Sequence, residues 1–253
     1  MALTPLHTAT VHTESYGVTP LGRRMLLVNA VVAWGGVLLT VALSAAGAYR
    51  EQEPEPGVYG DNGDGLMGAV SRVTDTLSYF TIWSNIAVAV SLTLLVSARL
   101  GAAVGPRWLR VLRLDGLLMI VVTAIVYQVL LAPTTEVAGW SVLTDPWLHV
   151  VTPVLTVVVW GVWGPRGWVT GRLVPAALVI PLAWIAWMLA RGAVLGVYPY
   201  GFVAVGERGL GPVLVTLVMI LAFGLVVALV LWGVDVLLGR RSTDAHAPVE
   251  RAG

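Results

Sequence analysis

The sequence predicts an all-α polytopic membrane protein, a bundle of six transmembrane helices with both termini on the cytoplasmic side, and three observations carry that expectation. Hydrophobic residues fill 57% of the 253 positions and charged residues only 11%, where a water-soluble domain carries about 25% charge. Six apolar runs are each long enough for about 30 Å of hydrocarbon, which takes about 20 helical residues. All 15 basic residues are arginine, and they fall unequally on the alternate connections between runs.

The elements follow in order along the chain. Residues 1–22 lack apolar periodicity and read as a disordered cytoplasmic N-terminus. Arg23 and Arg24 precede the first run, 25–48, which is longer than the apolar core of a cleavable signal and reads as an uncleaved first helix. The next connection holds Glu51, Glu53, Glu55, Asp61 and Asp64 with Pro54 and Pro56, so a solvated, mobile outer loop is expected. The remaining runs are 79–98, 116–132, 146–163, 173–194 and 210–238, with Pro133, Pro146 and Pro165 acting as breakers. Residues 23–238 make one domain without internal repeat, and 239–253 read as a disordered cytoplasmic tail.

Orientation comes from arginine. Arg23, Arg24, Arg99, Arg107, Arg110, Arg113, Arg166, Arg172, Arg240, Arg241 and Arg251 fall on one side, and only Arg50, Arg72, Arg191 and Arg208 on the other. Basic residues in short loops stay in the cytoplasm, so the first group faces inward and the chain is expected in a plasma (inner) membrane. The chain has no cysteine, which removes disulfides, thiolate nucleophiles and cysteine-held metal clusters. His149 is the one histidine in an apolar run, the others being His7, His12 and His246, so no metal, haem or other cofactor and no nucleic-acid partner is expected. Oligomeric state is left open.

Polar groups inside a membrane are costly without partners, so their positions point to function. In the second helix Ser78, Thr81, Ser84 and Asn85 recur at spacings of three and four and share one face. In the fourth, Asp145, His149, Thr152 and Thr156 form a second stripe, with a carboxylate one turn before an imidazole that it can orient. Tyr127 and Gln128 in the third helix, Arg191 in the fifth, and Tyr198 to Phe202 and Glu207-Arg208 before the sixth reach a similar level. A pocket open to the outer leaflet is one reading, with Ser84, Asn85, Tyr127, Gln128, Tyr198 and Tyr200 as substrate contacts. Interface aromatics and interhelical hydroxyl bonds are the other.

Tyr79-Phe80-Thr81-Ile82-Trp83-Ser84-Asn85, Asp145-Pro146-Trp147-Leu148-His149 with Pro153, and Tyr198-Pro199-Tyr200-Gly201-Phe202 stand in an order that resembles a known family. It is the six-helix androgen-induced and ADTRP-like membrane proteins, in their bacterial six-transmembrane branch, and the likeness spans about residues 23–238. Gly201 stands where that family's motif has a second proline. The resemblance implies a threonine hydrolase of fatty-acid esters, with catalytic Thr81 and His149, Asp145 orienting the histidine, and a membrane lipid or lipid ester as substrate. Ser84, Asn85 and Tyr200 are the reachable oxyanion donors. Other intramembrane chemistries lack their signatures, since no Ser is followed by Gly and there is no His-Glu-x-x-His. A transporter or lipid-binding protein, with Asp145, His149 and Arg191 as a relay, is the rival reading.

Overall fold

A computed structural model describes residues 18–49, 56–97, 105–133 and 137–244, with side chains as far as Arg240. The expected loop residues Glu51, Glu53, Glu55 and Pro54, and the terminal segments 1–17 and 245–253, lie outside the described residues. Six helical segments are long and apolar enough to cross a membrane: Pro20–Ala45, Phe80–Ser97, Arg107–Leu131, Ser141–Trp163, Ala176–Leu195 and Leu210–Arg240. They are called the first to sixth spans below. No strand occurs among the described residues, and the single extended contact pairs Val58 with Tyr198.

The first span begins earlier than hydropathy alone indicates. Thr19 is extended and its hydroxyl accepts the Gly22 amide at 3.0 Å, while Pro20 occupies a first-turn position where a missing N–H costs nothing. Residues 20–22, expected to be disordered, are therefore helical. The last helix likewise continues beyond 238 to Asp244. The third span starts at Arg107 rather than 116, because a cluster of arginines read as a loop is wound into the helix. Arg110 donates to the carbonyls of Trp168 and Gly167 at 3.1 and 3.2 Å, which anchors the connection that follows the fourth span.

A short helix, Gly65–Thr76, occupies part of the segment expected as a solvated loop. Its twelve residues are amphipathic but too few to cross a membrane, and tertiary contact fixes it in place. Arg72 donates to the C-terminal carbonyls of the first span, Nε to Ser44 at 3.0 Å and Nη2 to Ala45 at 3.2 Å. A cation at a helix C-terminus both satisfies free carbonyls and opposes the negative end of the dipole.

The second span is the hub, packed between the first and third. Gly116 of the third span makes this possible, because a Cβ there would sit 3.2 Å from the Ala87 carbonyl oxygen and the Val88 amide. Small residues permit such backbone approach where no hydrophobic effect drives helices together. Buried polar pairs add to it, including Thr156, which donates to Asn29 at 3.1 Å. Outward faces carry exposed Val31, Leu38, Val154, Val158, Val215 and Val218, a surface suited to hydrocarbon rather than water.

The bundle has two unlike ends. One brings together Arg23 with Val96, Gly22 with Trp163, and Gly171 with Trp232. The other brings together Tyr49 with Thr144, Asp75 with Arg191, and Gly57 with Tyr198. At this second end the fifth span closes on Gly196, whose left-handed φ of 74° suits a residue without Cβ. The chain then folds back so that Tyr198 lies against Gly192, where a Cβ would fall 2.0 Å from the ring. The Tyr198 ring is buried and has no room to yield. Gly192→Ala is therefore expected to cost about 1–3 kcal/mol by overpacking. Thermal unfolding in detergent checks this, and a variant as stable as the wild type would contradict the packing described.

Candidate active site

The two polar stripes meet at that second end. Thr81 opens the second span and His149 lies in the fourth, 68 residues apart in sequence, and both are buried. The Thr81 Oγ1 and His149 Nε2 are 3.0 Å apart. The other ring nitrogen, Nδ1, lies 2.9 Å from the Asp145 backbone carbonyl and 3.1 Å from the Asp145 carboxylate. Both are acceptors, so Nδ1 carries the proton and the Nε2 lone pair is directed at the threonine hydroxyl.

The path of the fourth span explains how the imidazole reaches that position. Pro146 and Pro153 each remove a donor from the helical ladder. Between them the helix widens into a π turn, Trp147–Val151, in which the Thr152 amide bonds the Trp147 carbonyl five residues back. In the same register Pro153 faces the Leu148 carbonyl but has no N–H to give. Asn85 supplies the missing bond from the second span, its Nδ2 reaching the Leu148 oxygen at 3.3 Å and the Thr81 carbonyl at 2.8 Å. One amide side chain thus ties the backbone beside the hydroxyl to the backbone beside the imidazole. The third span carries a matching π turn, Tyr127–Leu131. Single π turns inside α-helices occur frequently at functional sites.

Tyr127 completes the assembly. Its ring stacks on His149 with centroids 3.8 Å apart and planes 12° from parallel. Its hydroxyl donates to the second oxygen of the Asp145 carboxylate. The carboxylate is held on both oxygens and the imidazole is held on its edge and its face, so neither can turn freely.

The expected contact residues divide. Tyr127 and Tyr200 line the cavities at the site. Ser84 and Asn85 do not; Ser84 donates to the Thr81 carbonyl at 2.8 Å and accepts from Thr123 at 2.9 Å, so both side chains brace the backbone of the threonine. Gln128 is exposed on the outer face of the third span. Tyr198 is a packing residue, its amide bonded to Gly57 at 2.8 Å and its carbonyl accepting from Tyr59 at 3.1 Å. For Ser84, Asn85 and Gln128 the helical spacing gave the level but not the partner, because several residues per turn share a depth and only one sector faces the site, and Tyr198 lies in a connection where no helical spacing applies.

Tyr200 lies in the connection before the sixth span. Its hydroxyl lies beside the Thr81 side chain and the Phe80 and Thr81 backbone. Burial pushes its ionisation up to about 12, so it remains a neutral O–H donor. The Phe80 and Thr81 amides belong to the first turn of a helix, where no intrahelical acceptor exists.

The sequence reading named Arg191 and Tyr79 but left out Asp75 and Tyr59, which shape the wall with them. Asp75 accepts from Arg191 at 2.6 Å, and the guanidinium lies 4.4 Å above the centre of the Tyr59 ring. Tyr79 stands edge-on to both Tyr59 and Tyr200. The signal for Asp75 is a carboxylate one turn ahead of the Tyr79-to-Asn85 motif, but its partner stands 116 residues away and no local pattern points to it.

Two cavities converge on Thr81. A polar vestibule of about 860 Å³ is lined by Thr40, Arg72, Asp75, Thr144, Asp145 and His149 among others. A narrower apolar slot runs between the third, fifth and sixth spans. Thr81, Tyr127, Leu131, Tyr200 and Phe202 belong to both. Among the described residues, no group of three or more histidine or acidic side chains comes together as a metal site. No protein-family model, curated protein or solved structure matches this chain.

Proposed function

We propose that this protein is a membrane-embedded threonine hydrolase of lipid esters, with Thr81 as nucleophile, His149 as general base and Asp145 as the group that orients the base. The carrying observation is the chain of contacts from Thr81 Oγ1 through His149 Nε2 and Nδ1 to Asp145, at the junction of a polar and an apolar cavity. A hydroxyl becomes a competent nucleophile when a base takes its proton and a third group holds that base in one tautomer.

In the first half-reaction Nε2 accepts the hydroxyl proton as Oγ1 bonds to the ester carbonyl carbon. The tetrahedral oxyanion is received by the Tyr200 hydroxyl, the donor left once Ser84 and Asn85 are engaged with backbone carbonyls. Collapse breaks the ester C–O bond, and the proton on Nε2 passes to the departing alcohol. In the second half-reaction a vestibule water gives its proton to Nε2 and its oxygen to the acyl carbon, releasing the carboxylic acid and restoring the Thr81 hydroxyl.

The same reading sets orientation. By sequence, eleven arginines fall on one set of alternate connections and tails and four on the other, a bias that favours both termini in the cytoplasm of a plasma membrane and the vestibule at the outer leaflet. The motifs Tyr79-to-Asn85, Asp145-to-His149 and Tyr198-to-Phe202, with their likeness to the androgen-induced and ADTRP-like proteins, support the same chemistry.

A fluorophosphonate probe tests the reading. Membranes carrying the wild type are expected to be labelled, and membranes carrying Thr81→Ala are not. Equal labelling of both removes Thr81 as nucleophile, and absence of labelling on the wild type favours transport or binding over hydrolysis.

A further inference from the structure

The two cavities at Thr81 differ in one respect that bears on substrate choice. The vestibule is rich in hydroxyl, carboxylate and guanidinium groups, whereas the slot holds few polar side chains, and those lie near the threonine. They are Thr81, Thr123, Tyr127 and Tyr200, and the Thr123 hydroxyl is turned away to Ser84. Beyond that mouth the lining is hydrocarbon, with Leu118, Val122, Leu178, Leu217, Leu221 and Gly224 around it. An apolar slot with polar groups only at its mouth fits a chain with one polar end.

Gly224 of the sixth span stands at the far end. A Cβ there would lie 3.8 Å from Leu118 Cδ1 and 4.0 Å from Val122 Cγ2, ordinary contact distances, so the backbone faces open space without being pressed by its neighbours. A larger side chain at this position would project into the slot. Nothing about the helix itself calls for glycine, which is a weaker helix former than leucine by about 0.8 kcal/mol. Its local value is the space it leaves.

We infer that the slot binds the acyl chain of the ester and that Gly224, opposite Leu118, sets the longest chain accepted. The catalytic part of this inference rests on the hydrolase reading, with the acyl carbonyl at Thr81, the acyl tail in the slot and the alcohol leaving by the vestibule. Along the third span the lining runs from Tyr127 to Leu118, nine residues, or about 13 Å at 1.5 Å per residue. A saturated chain advancing about 1.3 Å per C–C bond fills that length with about ten carbons.

The test uses the full chain in lipid nanodiscs and two series of ligands. In the first, saturated fatty acids from six to sixteen carbons are added and the thermal midpoint is followed. The wild-type midpoint is expected to rise with chain length to about ten carbons and then level off, and the Gly224→Leu plateau to come about three or four carbons earlier. In the second, p-nitrophenyl esters of four to sixteen carbons are hydrolysed, and Gly224→Leu is expected to lower the ratio of ten-carbon to four-carbon ester hydrolysis about tenfold or more relative to the wild type. Gly233→Ala, on the same span but outside both cavities and with nothing within 4 Å of an added Cβ, serves as the folded control with a wild-type profile.

A length dependence identical in wild type and Gly224→Leu overturns the inference, as does a wild type that no fatty acid stabilises. A shortened fatty-acid plateau in Gly224→Leu with no ester turned over by any form upholds the acyl slot and removes the hydrolase reading.

Discussion

Thr81→Val is expected to lower ester turnover by at least about a thousandfold while leaving the bundle folded. Valine matches threonine in shape, so the packing of the second-span entrance survives, and the loss is the single hydroxyl that Nε2 of His149 meets at 3.0 Å. The unpaired imidazole nitrogen that remains costs about 1–3 kcal/mol of stability by the usual price of an orphaned buried polar atom. Thr81→Ser provides the counterpart. It restores the hydroxyl without the γ-methyl, which relaxes the side-chain torsion, and is expected to retain activity within about tenfold. Steady-state hydrolysis of a medium-chain p-nitrophenyl ester by the purified variants decides the matter, and a valine variant as active as serine would show that the nucleophile lies elsewhere.

Asp145→Asn is expected to cost about a hundredfold, or roughly 2.7 kcal/mol of transition-state stabilisation at 1.36 kcal/mol per factor of ten. The modest size follows from the geometry. In a hydrolytic triad the aspartate both fixes the tautomer and stabilises the imidazolium, and its removal costs about ten thousandfold when the tautomer is lost. Here the Asp145 backbone carbonyl also accepts from Nδ1, at 2.9 Å, and the asparagine backbone keeps it. The amide oxygen can still face Nδ1 and the amide nitrogen can donate to Tyr127, whose hydroxyl rotates to accept. What disappears is the negative charge beside the developing imidazolium. A fall in kcat with KM nearly unchanged is the expected signature. A loss as large as that of Thr81→Val would mean that the backbone carbonyl does not hold the tautomer.

Much of the architecture was written in the composition and periodicity of the chain. Six apolar runs predicted six helices long enough to span, because hydrocarbon forces each segment to satisfy its own backbone and leaves helix as the available solution for a single apolar run. The ends of those helices were less legible. Thr19 and Pro20 start the first span by capping chemistry, not hydropathy, and Arg107 to Arg113 were absorbed into the third. The helix Gly65–Thr76 was missed because its amphipathic pattern is too short and too polar on average to stand out among apolar runs, and contact of Arg72 with the carbonyls of Ser44 and Ala45 fixes it in place.

The residue types of the candidate site and their common depth were determined by the sequence alone: Thr81, Asp145 and His149 occupy the right turns of the right runs because helical spacing is a local property. Only the tertiary structure decided which side chains meet. The π turn between Pro146 and Pro153 sets the direction of the imidazole, Asn85 and Ser84 turn to the backbone, and Tyr127 reaches Asp145. The two cavities joined at Thr81 and the space beside Gly224 arise in the same way, from spans distant in sequence. The physical reason is that periodicity fixes a residue's height and rotation on its own helix, whereas contact depends on how each helix is rotated against its neighbours, and close packing settles that across the whole bundle.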